Sequence, residues 1–318
     1  MIKLRAVRIP VRSTLARRRL LRGRGFAYGA TAPTRSLGSF AKPGIFAAGT
    51  AAACFATAAI APSLSQRTFL DQRDLPGWVL DVRDTLEGLG VPASRLISAA
   101  TSAPGAIVIA NLVVFAAWKA APRARLMTRF FLQRPSENRA LPLLLSTFSH
   151  TTSVHLGFNM FAFWSFHAPV AAAVGGANAL ALYLSAGVAS SFFSTVVRNV
   201  LPALRERTMV PSLGASGAVW SLISFVGCQY PEAKMSIIFL PMFALPAYQM
   251  VIGLAAVDVL GVALGWRFFD HAAHLGGLAC GAGFYAILKD TKCLQNFQRR
   301  ARISFRRARR YYLEKLRK

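Results

Sequence analysis

The chain has 318 residues, of which 54% are hydrophobic and only 16% charged, with a formal net charge of +26. A soluble domain of this size carries about 45–50% apolar and about 25% charged residues, so this composition excludes a large soluble core and points to a polytopic membrane protein. The positive charge lies at the two ends and in one loop, with no nucleic-acid motif between them. That distribution excludes nucleic-acid binding and fits basic segments that meet anionic lipid or direct insertion.

Residues 1–42 hold eleven Lys or Arg, and no Asp or Glu precedes Asp71. Leu4, Val7, Val11 and Leu15 recur at helical spacing, with Arg5, Arg8 and Arg12 on another face and Pro10 interrupting. A basic, acid-free, amphipathic start reads as a mitochondrial presequence, against the blander reading of a disordered basic arm. Residues 43–62 form an Ala-rich first transmembrane helix. Residues 63–105 make a polar connecting loop, with Trp78, Val79 and Leu80 as a membrane-surface anchor.

The stretch 106–288 holds six further spans. They are 106–121, then after a basic loop at 123–139 the run from His150 to Val174, then 177–197, Pro211 to Pro231, 247–265 and 270–288. The segment 235–246 is apolar but broken by Pro241 and Pro246, and is expected to be a surface loop. A tail over 289–318 carries twelve basic and two acidic residues. The expectation is an all-α polytopic protein, one extra helix followed by a six-helix core. Seven spans put the ends on opposite sides of the membrane. The acid-rich run from Asp71 to Glu87 fits the outer side of the first helix, which leaves the N-terminus and the 123–139 loop in the matrix and makes the basic C-terminal tail the exception; the alternative is that 44–62 does not span or is cleaved away. Cys54, Cys228, Cys280 and Cys293 include no C-x-x-C pair and read as apolar packing residues.

Polar groups inside spans are costly, so they are the functional candidates. All five histidines (His150, His155, His167, His271 and His274) fall in or at the ends of spans. The fifth span opens Gly214-Ala215-Ser216-Gly217, where Gly214 and Gly217 clear space around one serine. In the seventh, His274, Gly277 and Gly281 lie at i, i+3 and i+7 on one face, and Gly277-x-x-x-Gly281 is a close-packing signature. If that face meets the glycines beside Ser216, His274 becomes the base that makes the hydroxyl a nucleophile. His155 and Asn159, four apart on the third span, can donate to a developing oxyanion along with the Ser216 backbone N–H; they could equally bridge helices. His150 is placed as a residue that orients the third span or caps a loop, His167 as packing, and Asp270 as the N-cap of the seventh helix rather than a triad member.

These motifs, H-x-x-x-N, G-A-S-G-A and A-H-L-G-G-x-x-x-G on three successive helices, resemble the rhomboid proteases, and most of all the mitochondrial branch of that family. The resemblance implies a Ser216–His274 dyad with no acidic third member, and His155 and Asn159 as oxyanion donors. An aromatic residue four positions after the serine, often Tyr, packs on the histidine in that family; here Trp220 can stack but brings no phenol hydroxyl. The implied function is an intramembrane serine endopeptidase of the mitochondrial inner membrane. Its partners would be single-span transmembrane substrates, among them dynamin-like fusion proteins and an imported kinase, together with membrane lipid. No metal and no organic cofactor is expected. Two other readings compete: a catalytically silent relative that only binds membrane helices, and a histidine-based transporter or metal channel. The second would want three or four convergent ligands, and the sequence holds no H-E-x-x-H and no repeated halves with broken helices.

Overall fold

The computed structural model describes residues 37–60, 77–90, 92–100, 102–137, 139–201, 211–237 and 240–289, with scattered positions of the tail. Residues 1–36 of the expected presequence over 1–42, residues 63–76 of the expected polar loop, and Cys293 lie outside the described residues.

After a 3-10 turn at Leu37–Phe40 the helices are α1 (Ala41–Ile60), α2 (Gly77–Gly88), α3 (Ala93–Ala100), α4 (Ala103–Ala120), α5 (Arg125–Phe130), α6 (Leu141–Leu145), α7 (Ser153–Val174) and α8 (Gly176–Val200). Then come α9 (Ser216–Gln229), strands β1 (Lys234–Ile237) and β2 (Leu240–Pro246), α10 (Ala247–Leu264) and α11 (His271–Lys289). The fold is mostly helical, and α1, α4 and α7 to α11 occupy the seven stretches expected from hydropathy. Among the described residues, α4, α8 and α10 are long and apolar enough to cross a membrane by length and composition. Ile252, Val257, Val259 and Leu260 of α10 are exposed, which gives this helix an apolar outer face.

Local chemistry sets the helix ends. Ser102 caps α4, accepting from the Gly105 N–H at 3.1 Å, and Thr152 caps α7, accepting from the His155 N–H at 3.2 Å. Gly175, with φ +83°, separates α7 from α8, and Gly265, with φ +68°, ends α10.

Three expectations need correction. The fifth span was placed from Pro211, but its helix begins at Ser216 and runs only 14 residues. Pro211 cannot donate a helical bond, and Gly214 holds φ +131°, so residues 211–215 are a pinned loop. A helix of that length is shorter than the about 20 residues a full crossing needs, so its start lies within the protein. The segment 235–246, expected as a loop, belongs to an antiparallel two-stranded ribbon pairing Lys234 with Pro246 and Met235 with Leu245. Both prolines sit on its edge strand, where a missing N–H is tolerated. The connecting stretch, expected as a loop, carries the short helices α2 and α3, and α5 interrupts the basic loop.

The core gathers α7, α8, α9 and α11 around Leu156, Phe163, Leu182, Tyr183, Leu222 and Phe225. Helices α9 and α11 make the tightest pair. A Cβ at Gly277 would collide with the Gly217 carbonyl oxygen, and one at Gly281 with the Ser221 carbonyl oxygen. A Cβ at Gly217 would collide with the Ser190 hydroxyl of α8. These backbones touch because no side chain stands between them.

The entry to α11 is fixed by Asp270. Its carboxylate accepts from the Ala273 N–H at 3.0 Å and from the Ser194 hydroxyl at 2.7 Å, and pairs with Arg198 at 2.7 Å. Asp270 is therefore the cap of α11, tied to α8 by an ion pair.

Three outcomes are expected. Gly277→Val should destabilise the protein in detergent micelles by about 1–3 kcal/mol in thermal unfolding, through overpacking against backbone. Gly283→Ala, where an added Cβ meets nothing within 4 Å, should be neutral or slightly stabilising. Asp270→Asn leaves the buried Arg198 without its ion-pair partner and should be less stable than the parent by roughly 3–5 kcal/mol in the same thermal unfolding measurement.

Candidate active site

Ser216 is the first residue of α9, and the loop before it is anchored on every side. Gln133 and Ser212 exchange both backbone hydrogen bonds, at 2.9 and 2.8 Å, and the Gly214 N–H donates to the Ser146 carbonyl at 2.9 Å. The Ala215 N–H donates to Nε2 of the fully buried His150 at 3.4 Å. A Cβ at Gly214 would lie 2.7 Å from Cε1 of His155, and φ is positive there, so glycine is required twice over. The Ser216 hydroxyl thus sits where the unpaired N–H groups and positive dipole end of a helix point.

His274 lies in the first turn of α11, its own N–H donating to the Asp270 carbonyl at 3.0 Å. Its Nε2 is 2.8 Å from Ser216 Oγ. Trp220, one turn after the serine, stacks on the imidazole with ring centroids 4.4 Å apart and planes 29° from parallel. The other imidazole nitrogen, Nδ1, is 3.1 Å from Oδ1 of Asp258 on α10. The same oxygen is 2.6 Å from His271 Nδ1, and Oδ2 accepts from the Trp220 indole N–H at 2.9 Å. Asp258, His271 and His274 are all buried. Room for His271 comes from Gly261, where a Cβ would strike its ring.

The remaining sequence-derived candidates divide. His155 lines a cleft of about 150 Å³ together with Ser216, His274, Arg198, Asp270 and Phe269. His150 stands edge-on to His155, centroids 4.8 Å apart, supporting the loop from behind. Asn159 is buried and absent from the cleft wall; its amide donates to the carbonyl of His155 on its own helix at 2.9 Å. Gly214, Gly217, Gly277 and Gly281 occupy the close approaches described above. His167 is buried against Phe163, and Asp270 caps its helix rather than facing the His274 imidazole.

Reading the sequence missed Asp258. The signal was present, since Asp258 is the only Asp, Glu, Lys or Arg in the expected span 247–265, and an ionisable group in a span is a candidate by default. The resemblance implied no acid beside the histidine, yet a carboxylate faces its Nδ1. One ligand atom each from Asp258, His271 and His274 lie within 4.8 Å of one another. Both imidazole Nδ1 atoms are already engaged with the carboxylate, so the cluster reads as a hydrogen-bond network before it reads as a metal site. Chemically, the cleft offers a hydroxyl in contact with an imidazole nitrogen, an acid behind that imidazole, and a second imidazole, His155, on the same cleft wall.

Comparison with known proteins matches residues 137–290 to the Rhomboid domain. Presenilin-associated rhomboid-like protein A, mitochondrial, of Danio rerio is 40% identical over 179 residues, covering 56% of this chain and 45% of that protein. Presenilin-associated rhomboid-like protein, mitochondrial, of Homo sapiens is 42% identical over 176 residues, covering 55% and 45%. Rhomboid protein 1, mitochondrial, of Saccharomyces cerevisiae is 36% identical over 181 residues, covering 55% and 50%. The matched stretch spans about half the length of these curated relatives. The domain match encloses the serine, both histidines of the seventh span and the acid behind them, so the site lies within a Rhomboid domain at residues 137–290 of this chain.

Proposed function

We propose that this protein is a serine endopeptidase that cleaves single-span membrane proteins within or near the bilayer of the mitochondrial inner membrane. The observation that carries the reading is the 2.8 Å contact between His274 Nε2 and Ser216 Oγ, at the distance proton transfer requires. The mitochondrial setting is supported by the printed names of the relatives and by the basic, acid-free N-terminal composition. The helical order supports one helix followed by a six-helix core spanning that membrane.

In this mechanism Ser216 Oγ attacks the scissile carbonyl carbon while its proton passes to His274 Nε2. The resulting oxyanion accepts from the Ser216 backbone N–H and from His155. Collapse of the tetrahedral species breaks the C–N bond, and His274 returns the proton to the leaving amine. Water then attacks the acyl ester with His274 again as base, releasing the new carboxyl end and restoring the serine. The cleft, with Arg198, Asp270 and Ser212 on its wall, is polar and roomy enough to hold that water. Asn159 enters this scheme only if its side chain turns away from the His155 carbonyl.

The test is cleavage of a model transmembrane substrate by purified protein in liposomes. Ser216→Ala and His274→Ala should each abolish cleavage while leaving the thermal unfolding midpoint unchanged; retained cleavage in either removes the mechanism. His155→Ala should lower kcat by about 10²- to 10³-fold, as loss of an oxyanion donor does. Asn159→Ala should have the smaller effect of the two.

A further inference from the structure

We propose that Asp258 is a positioning residue that, held by Trp220 and His271, fixes the tautomer of His274 and makes the reacting group a serine–histidine–aspartate arrangement. This rests on the endopeptidase reading above and extends it beyond a two-residue site.

The argument is one of donors and acceptors. An ionised carboxylate only accepts, and an indole N–H only donates. Oδ2 of Asp258 faces the Trp220 indole N–H at 2.9 Å, while Oδ1 faces His271 Nδ1 at 2.6 Å and His274 Nδ1 at 3.1 Å. For both imidazole contacts on that oxygen to be hydrogen bonds to a carboxylate, each Nδ1 must carry the hydrogen. A neutral imidazole has one N–H, so His274 then presents a bare lone pair at Nε2, where Ser216 Oγ lies 2.8 Å away. The opposite tautomer would point an N–H at the hydroxyl and could not take its proton.

Burial gives the arrangement its force. Asp258 is 3% exposed on a helix whose neighbouring side chains Val257, Val259 and Leu260 face outward, so the acid turns inward where those neighbours do not. A carboxylate there is tolerated only when its lone pairs are occupied. Trp220 and His271 occupy them, and both are themselves fixed, Trp220 by stacking on His274 and His271 by the space at Gly261 and the rings of Trp266, Phe268 and Phe269. When the Ser216 proton reaches His274, positive charge forms on the ring directly against Asp258, where it is stabilised. No proton moves to Asp258, and no atom is gained or lost by the acid.

The experiment compares wild type, Asp258→Asn, Trp220→Phe and their double variant in liposomes. Readouts are kcat and KM on a model transmembrane substrate, fluorophosphonate labelling of Ser216, thermal unfolding, and ring-¹⁵N histidine spectra with the His274 signal assigned by its loss in His274→Ala. The expected result for Asp258→Asn is a fall in kcat of about 10²- to 10⁴-fold with KM within about threefold. Labelling should slow in parallel, and the His274 signal should change from the Nδ1–H to the Nε2–H form. Trp220→Phe keeps the stacked ring and should lose less, about 3- to 30-fold, because only one donor to the acid is removed. The double variant should lose less than the product of the two single losses. Wild-type kcat retained in folded Asp258→Asn, or an unchanged His274 tautomer, overturns the proposal. If Asp258→Asn does not fold, Trp220→Phe decides: unchanged kcat and an unchanged His274 signal overturn it. A wild type that neither cleaves nor labels would instead remove the endopeptidase reading itself.

Discussion

Helices α9 and α11 lie so close that the carbonyl oxygens of Gly217 and Ser221 occupy the space into which side chains at 277 and 281 would project. Between lipid-facing helices there is no gain from hiding apolar surface, because the surrounding tails are equally apolar; close backbone packing and interhelical hydrogen bonds must serve instead. Here the packing also sets distance. With the two backbones in contact, one turn of α11 above Gly277 and the first residue of α9 can face each other in one register, and that register puts an imidazole on a hydroxyl. Ser190 of α8 fills the gap beside Gly217, and the Ser224 hydroxyl donates to the Leu278 carbonyl at 2.8 Å. The pair is therefore locked from a third helix and from within.

Two buried acids serve different purposes around this contact. Asp270 at the head of α11 faces a backbone N–H, a hydroxyl and a guanidinium, so its charge is neutralised by an ion pair that ties α11 to α8. Asp258 faces two imidazoles and an indole. The first arrangement holds a helix in place; the second bears on a proton. Every lone pair spent in either network is one fewer exposed to an apolar surrounding, where an unsatisfied polar group costs several kcal/mol.

Reading the sequence located the serine, the histidine and the glycine face because each is a local pattern, carried by spacing along one helix. Gly277 and Gly281 could be read as a contact surface without knowing their partner, and Asp270 could be read as a cap because capping is settled within four residues. Asp258 could not be placed the same way. Its partners stand 13, 16 and 38 positions away in the chain, on two other helices, and no periodicity links them. The start of α9 was misplaced by five residues for a related reason: hydropathy runs smoothly through Pro211 to Ala215, while the backbone there is held out of the helix by Gln133, Ser146 and His150 from distant segments. Asn159 is a different case: it shares the helix of His155, and its amide donates to the His155 carbonyl one turn back.

Trp220 ties these levels together. The resemblance to rhomboid proteases led to the expectation of an aromatic ring over the histidine, and counted the absence of a phenol hydroxyl as a loss. The indole replaces it with a donor aimed elsewhere: its ring covers His274 while its N–H reaches α10 and binds Asp258. Residue 220 and the histidine at 271 are therefore linked through the acid at 258: removing the acid leaves the Trp220 N–H and His271 Nδ1 without that partner, and removing either donor leaves the acid with one bond fewer. Such a triad of dependencies is imposed by burial, and it fixes the imidazole edge presented to Ser216 more firmly than a histidine packed only on aromatic surface could be fixed.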